Sequence, residues 1–323
     1  MIMAAQVEEK VGECHLDDLD SAPPGVFLSE LENQFLDAVR NGNKTLVKKL
    51  IKKGQVDLNC MNAKGETALQ LAVANNSPEI LTLLLKSGAD IGNALLQAVS
   101  KESIDCVMVL LEFDIKEPGT TSKVETSGRF YNYLTPLMLA AQNNSYEIVS
   151  LLISKGFTIE EPHYHSKSCN CDECKSFGGR LGKSLWKLNT YKALASPAYL
   201  THVFDNINQN KVVDKSNDPI IQAFVLNRKL KELAEIEYEF RNEYLELSNQ
   251  CEEFAVALLN ECRDMEEIES IMIIPGLKDL EHVEVKADSE DARKLSMLNF
   301  AIKNKNEKVS IYFVIVTYWF YNY

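Results

Sequence analysis

The chain has 323 residues, 46% of them hydrophobic and 25% charged, enough to bury one large core or two domains. A net charge of −13 and a pI near 5.0 argue against a nucleic-acid binder, which presents a basic face, and against simple electrostatic docking on anionic lipid. Eight cysteines without a secretory signal point to a reducing compartment.

Residues 1–28 read as a disordered lead-in: Met1 to Ala22 is acidic and lacks the apolar stretch of a signal peptide, and Pro23-Pro24 closes it. From about residue 29 to 160 the chain repeats itself. Thr67-Ala68-Leu69-Gln70-Leu71-Ala72 returns as Thr135-Pro136-Leu137-Met138-Leu139-Ala140, and Leu83-Leu84-Leu85-Lys86-Ser87-Gly88 returns as Leu151-Leu152-Ile153-Ser154-Lys155-Gly156. Leu50-Ile51-Lys52-Lys53-Gly54 stands half that interval upstream of Gly88, which makes the period about 34 residues, and Thr-Pro-Leu-x-x-Ala at that period is the ankyrin signature. In each unit the Thr caps a first helix, the Pro sits where no N–H is needed, and Gly54, Gly88 and Gly156 end a second helix in a left-handed conformation. About four units are expected, near 30–60, 61–91, 92–130 and 131–160. The third is degenerate, having lost its Thr-Pro opening and gained the polar stretch Lys116 to Arg129.

Residues 161–183 concentrate the most chemistry. His165, Cys169, Cys171 and Cys174 place four potential ligands within ten residues, and Zn²⁺ takes four tetrahedral sulfur or nitrogen donors. Cys169 and Cys171 are too close for a relaxed disulfide, Cys171-x-x-Cys174 is a knuckle pair, and His163 competes with His165 for the fourth position. A redox pair would need a βαβ context that is not evident, and plain reduced thiols are the bland alternative. A filled Cys₃His set is structural; without an open position or a His-Glu-x-x-His helix, no zinc enzyme is expected, nor any catalytic residue. Phe177 to Lys183 is Gly-rich, too short for a phosphate loop and not preceded by a strand, and reads as a linker.

Residues 184–305 are expected to be helical. Leu226, Leu230, Leu233, Phe240, Tyr244, Leu247, Cys251, Phe254 and Leu258 form the apolar face of one long amphipathic helix, whose other face carries Lys229, Glu232, Glu235, Glu239 and Glu246 as a solvated charged side. A last piece covers about Asp288 to Lys303. His15, His202 and His282 are expected in ordinary loop or surface positions, and neither Trp186 nor Trp319 is set among basic residues as a nucleic-acid stacking platform. Residues 306–323 end in the apolar, aromatic, β-prone run Val309 to Tyr323, shorter than the ~20 residues of a membrane helix. It reads as a tail left by truncation, with a buried strand or helix as the alternative.

Leu188-Asn189-Thr190-Tyr191-Lys192-Ala193-Leu194-Ala195-Ser196-Pro197, Asn217-Asp218-Pro219-Ile220-Ile221-Gln222-Ala223-Phe224 and Glu239-Phe240-Arg241-Asn242-Glu243-Tyr244 resemble hallmark stretches of transient receptor potential cation channels of the C subfamily. The resemblance covers roughly residues 27 to 305, and Cys-x-Cys-x-x-Cys between repeats and linker helices is part of it. It implies an all-α fold: an ankyrin solenoid and a helical linker domain joined by a structural zinc cluster. It further implies the N-terminal cytoplasmic part of a Ca²⁺-permeable, non-selective cation channel subunit at the plasma membrane. Such a subunit works in a homo- or hetero-tetramer with related subunits, open to cytoplasmic regulatory proteins. Past about Lys308 the sequence departs from that pattern before any pore, so a soluble ankyrin adaptor or a truncated dominant-negative isoform is the alternative.

Overall fold

The structure, a computed structural model, describes residues 28–113, 134–162, 180–202, 218–262 and 301–322. These residues are predominantly helical, and the β pairing among them is one isolated bridge, Met61 to Thr67. Four antiparallel helix pairs come first: α1 (Glu30–Arg40) with α2 (Lys44–Lys53), α3 (Ala68–Ala74) with α4 (Pro78–Lys86), α5 (Ala94–Ser100) with α6 (Ile104–Phe113), and α7 (Pro136–Gln142) with α8 (Tyr146–Ser154). Thr67 and Thr135 accept the backbone N–H of Gln70 and Met138, Pro136 occupies the first turn of α7, and Ser29 with Glu32 forms a capping box on α1. At the start of α5 the cap position is Asn93, whose side chain makes no such bond, which is the local form the third unit's degeneracy takes.

One turn recurs with the same bonds in every pair. Gly42, Asn76, Glu102 and Asn144 lie at positive φ and donate to the carbonyl three residues back; the next residue donates to Ala38, Ala72, Ala98 and Ala140 respectively. That is the Schellman arrangement, which satisfies the last carbonyls of the first helix and reverses the chain. The four alanines are buried, so the returning helix approaches closely. Polar groups then tie unit to unit: Asn75 donates to the Val39 and Arg40 carbonyls, Lys101 Nζ to the Ala74 carbonyl at 3.0 Å, and Ser145 Oγ to Glu102 at 2.7 Å.

The second half is built from α9 (Arg180–Leu194), a helical segment 197–202, α10 (Pro219–Ile236), α11 (Arg241–Asn260) and α12 (Glu307–Asn322). Helix α9 begins inside the stretch expected to be a linker. Gly182 costs a helix about 1 kcal/mol, which the fifteen-residue helix and its buried face offset. The single long helix expected through Leu258 is instead a hairpin. Glu237 leaves helical geometry (φ −106°, ψ 78°), a 3₁₀ turn spans Tyr238–Phe240, and α11 folds back on α10. The apolar spacing runs on across the break, so periodicity alone hides it. Folding back lets the two halves of that stripe cover each other, and the buried Asn227 donates to the Ser248 carbonyl at 2.8 Å and hydroxyl at 3.1 Å.

The apolar C-terminal run is helical, not a loose β-prone tail. Val309 and Phe313 are fully buried in the core of the second half, and Tyr312 donates its hydroxyl to the Leu259 carbonyl at 3.0 Å. Packing on α11 overrides β propensity. Its first turn is capped by Glu252, only 3% exposed, which accepts the Lys308 N–H at 2.9 Å. The turn leading into it repeats the Schellman bonds of the four pairs: Lys305 at φ 56° donates to Ile302, and Asn306 donates to Ala301. Among the described residues no helix is long and apolar enough to cross a membrane.

Because Lys305 holds a conformation that costs an ordinary L-residue roughly 1–2 kcal/mol, Lys305→Gly should raise stability by about 0.5 kcal/mol after the entropy cost of glycine. Lys305→Val should lower it by about 1 kcal/mol or more. Urea denaturation midpoints of the two variants check both signs.

Candidate functional site at the joint between the repeat stack and the helical domain

The flank of the fourth helix pair is covered by α9 and by segment 197–202. Ala193 and Ala198 belong to the repeat core, while Leu188, Tyr191, Ala195 and Leu200 belong to the core of the second half. The stretch Leu188–Pro197 therefore faces two cores at once, and its alanines allow both to come close.

Backbone ends at this joint are satisfied across it. Gln142 Nε2 donates to the Asn189 carbonyl at 2.8 Å. Asn144 Oδ1 accepts the Ala198 N–H at 2.9 Å while Ser196 Oγ accepts that of Tyr199 at 3.1 Å. One of the two caps on segment 197–202 is thus supplied by the repeat stack. His202 is 3% exposed, not a surface residue. Its Nε2 meets the Tyr146 carbonyl at 3.0 Å, and its ring lies 3.7 Å from that of Tyr146, centroid to centroid. A carbonyl only accepts, so Nε2 carries the proton in that bond.

A charged relay runs beside it. Glu161, just past the last repeat, accepts Lys229 Nζ of α10 at 2.8 and 3.1 Å and the Tyr191 hydroxyl of α9 at 3.4 Å. Tyr191 stands edge-on to Tyr244, 6.3 Å between centroids. Tyr244 donates to Glu237 at 3.1 Å, and Glu237 also receives Lys187 Nζ at 2.9 Å. The Lys187 and Glu237 side chains are 11% and 14% exposed, so this pair is held in a low dielectric. Burial first, and then the carboxylate of Glu237, push the Tyr244 phenol far above its ordinary range. The hydroxyl is a fixed donor there. Burial likewise raises the Cys251 thiol to about 12 and the Cys60 thiol to about 11, so neither is a nucleophile near neutral pH.

The proposed ligands His165, Cys169, Cys171 and Cys174, and the competing His163, lie outside the described residues. Among the described residues, no group of three or more His, Cys, Asp or Glu side chains could hold a metal ion. Sequence reading placed Leu188–Pro197 correctly as a distinctive stretch but missed Glu161, Lys187, Glu237 and His202. Their one visible signal was a charge or imidazole inside or beside an apolar helix period.

The Ankyrin repeats (3 copies) family matches residues 35–94 and 92–163, and the Transient receptor ion channel II family matches residues 169–241. "Short transient receptor potential channel 3" of Rattus norvegicus is 36% identical over 305 residues, covering 88% of this chain and 32% of the relative. The Homo sapiens protein of that name is also 36% identical, with 88% and 31% covered. "Short transient receptor potential channel 4" of Mus musculus is 35% identical over 293 residues, with 87% and 28% covered. The chain spans about a third of the length of the curated relatives it matches.

Removing one partner of the half-hidden relay strands the other. Lys187→Met should cost about 3 kcal/mol. In the double variant Lys187→Met/Glu237→Gln, about 1–2 kcal/mol of the summed cost should return as coupling. Strict additivity in a chemical-denaturation cycle would show that the pair does not hold the joint.

Proposed function

Since the chain is a relative of the N-terminal third of the short transient receptor potential channels, we propose that it serves as the cytoplasmic assembly and regulatory layer of a cation-channel subunit. The relatives are channels by name, and an enzyme role finds no support in them. The observation that carries the reading is the unbroken match from the repeats through the linker helices, coinciding with a stack and helical domain that share one joint. In this reading the complete subunit passes Ca²⁺ and other cations through a pore lying beyond the residues of this chain. Four subunits, identical or related, assemble at the plasma membrane. The joint transmits displacement of the repeat stack to the helices that lead toward the membrane, because buried hydrogen bonds on both sides leave it little freedom.

The zinc cluster belongs to the same proposal. His165, Cys169, Cys171 and Cys174 lie between Glu161, tied to α9 and α10, and the first turn of α9. Three thiolates and one imidazole suit Zn²⁺ as a closed structural clamp, which would lock the angle at the joint.

Zinc analysis of purified protein should give about one equivalent per chain. Cys171→Ser should lower both zinc content and melting temperature; a metal-free wild type, or a variant unchanged in both, refutes the clamp. For assembly, the chain co-expressed with a pore-bearing short transient receptor potential channel should co-purify with it and reduce its calcium current. Absence of co-purification under conditions where the full-length subunits associate would refute the assembly role.

A further inference from the structure

Although the chain is strongly acidic overall, its first two repeats carry a basic groove. It lies between the outer helices α2 and α4 and encloses about 580 Å³. Lys44, Lys48 and Lys52 stand at successive turns along one edge, and Lys86 lies at the end of α4. Glu79 neutralises Lys44 by a direct ion pair. Lys48, Lys52 and Lys86 are exposed and have no carboxylate partner. The floor between them is aliphatic, formed by Ile51 and Leu83, both half-buried.

We infer that this groove is a docking site for a linear acidic peptide segment of a partner protein, an inference that goes beyond the channel-assembly reading. The geometry selects among anions. Lysines one turn apart on α2 are spaced by about 6 Å and spread over about 12 Å from Lys44 to Lys52, too far to converge on one phosphate. An extended peptide repeats its side chains on one side every ~6.6 Å, so alternate carboxylates can meet successive lysines. The intervening aliphatic side chains then settle on Ile51 and Leu83. A bilayer surface is the poorer match, since the acidic remainder of the chain would be driven against anionic headgroups. A peptide occupies only the groove, and charges beyond ~8 Å are screened at physiological salt.

The test uses the full chain and a fluorescein-labelled octapeptide of alternating aspartate and leucine, read by fluorescence anisotropy. Binding should weaken as salt rises from low to high ionic strength. The triple reversal Lys48→Glu/Lys52→Glu/Lys86→Glu should weaken it at least ~10-fold. The triple Lys→Arg variant at the same positions should stay within ~3-fold of wild type, because the charge is kept. Lys64→Glu, an exposed lysine away from the groove, should change nothing. A circular-dichroism melt checks that the reversal variant folds, and Lys52→Gln/Lys86→Gln substitutes for it otherwise, with a ~3-fold or greater loss expected. No binding by the wild type, equal binding by the reversal or neutralised variant, or groove-dependent binding to phosphatidylserine vesicles without binding to the peptide would each overturn the inference.

Discussion

A helix pair of this kind has two apolar flanks, and its own partner helix covers neither. The structure depends on that constraint. Each unit is stable only with a neighbour on both sides, so the stack has to be closed where the fourth pair ends. Helix α9 and segment 197–202 do this through Ala193 and Ala198, which sit in the repeat core although they follow the repeats in sequence. The same stretch turns Leu188, Tyr191 and Ala195 toward the hairpin of α10 and α11. Closing the stack and starting the second core are thus one packing event.

Placing a joint in a low-dielectric interior obliges its polar groups to pair. Asn144 and Gln142 reach from the stack to backbone groups of α9 and segment 197–202, and His202 reaches back to Tyr146. Glu161 and Glu237 collect Lys229, Tyr191, Lys187 and Tyr244. Such bonds are costly to leave half-made, which favours discrete arrangements of the two halves over gradual bending. A joint that resists small displacements can pass a force applied to the repeats into the helices behind it, as a regulatory layer requires.

The fold class was legible because its signals are local. Thr67 and Thr135 cap helices in any context, and Gly54, Gly88 and Gly156 take the positive φ that ends one. The recurrence of Ala38, Ala72, Ala98 and Ala140 four residues before each turn reflects a single steric need. Ala301 before Lys305 carries that same signal, but only one helix pair past the matched repeats shows it, and its period is out of step with them. The hairpin at Glu237 escaped because Leu233, Phe240 and Tyr244 keep helical spacing through the break. The distinction between one long helix and two antiparallel ones lies in which residues face each other, and spacing does not contain that.

The sequence by itself determined the repeat architecture, the kinship and the chemistry available in the run from His165 to Cys174, since each depends on residue type at fixed short spacing. Tertiary structure alone decided what the isolated charges do. Lys187 and Glu237 are fifty residues apart, as identified by their 2.9 Å pairing, and His202 lies fifty-six from the carbonyl it bonds. It also decided that the aromatic C-terminal run becomes a helix seated on α11. Short-range preferences act before the chain is compact, whereas the partner of a buried charge is set only when distant segments share one core and water no longer competes for it.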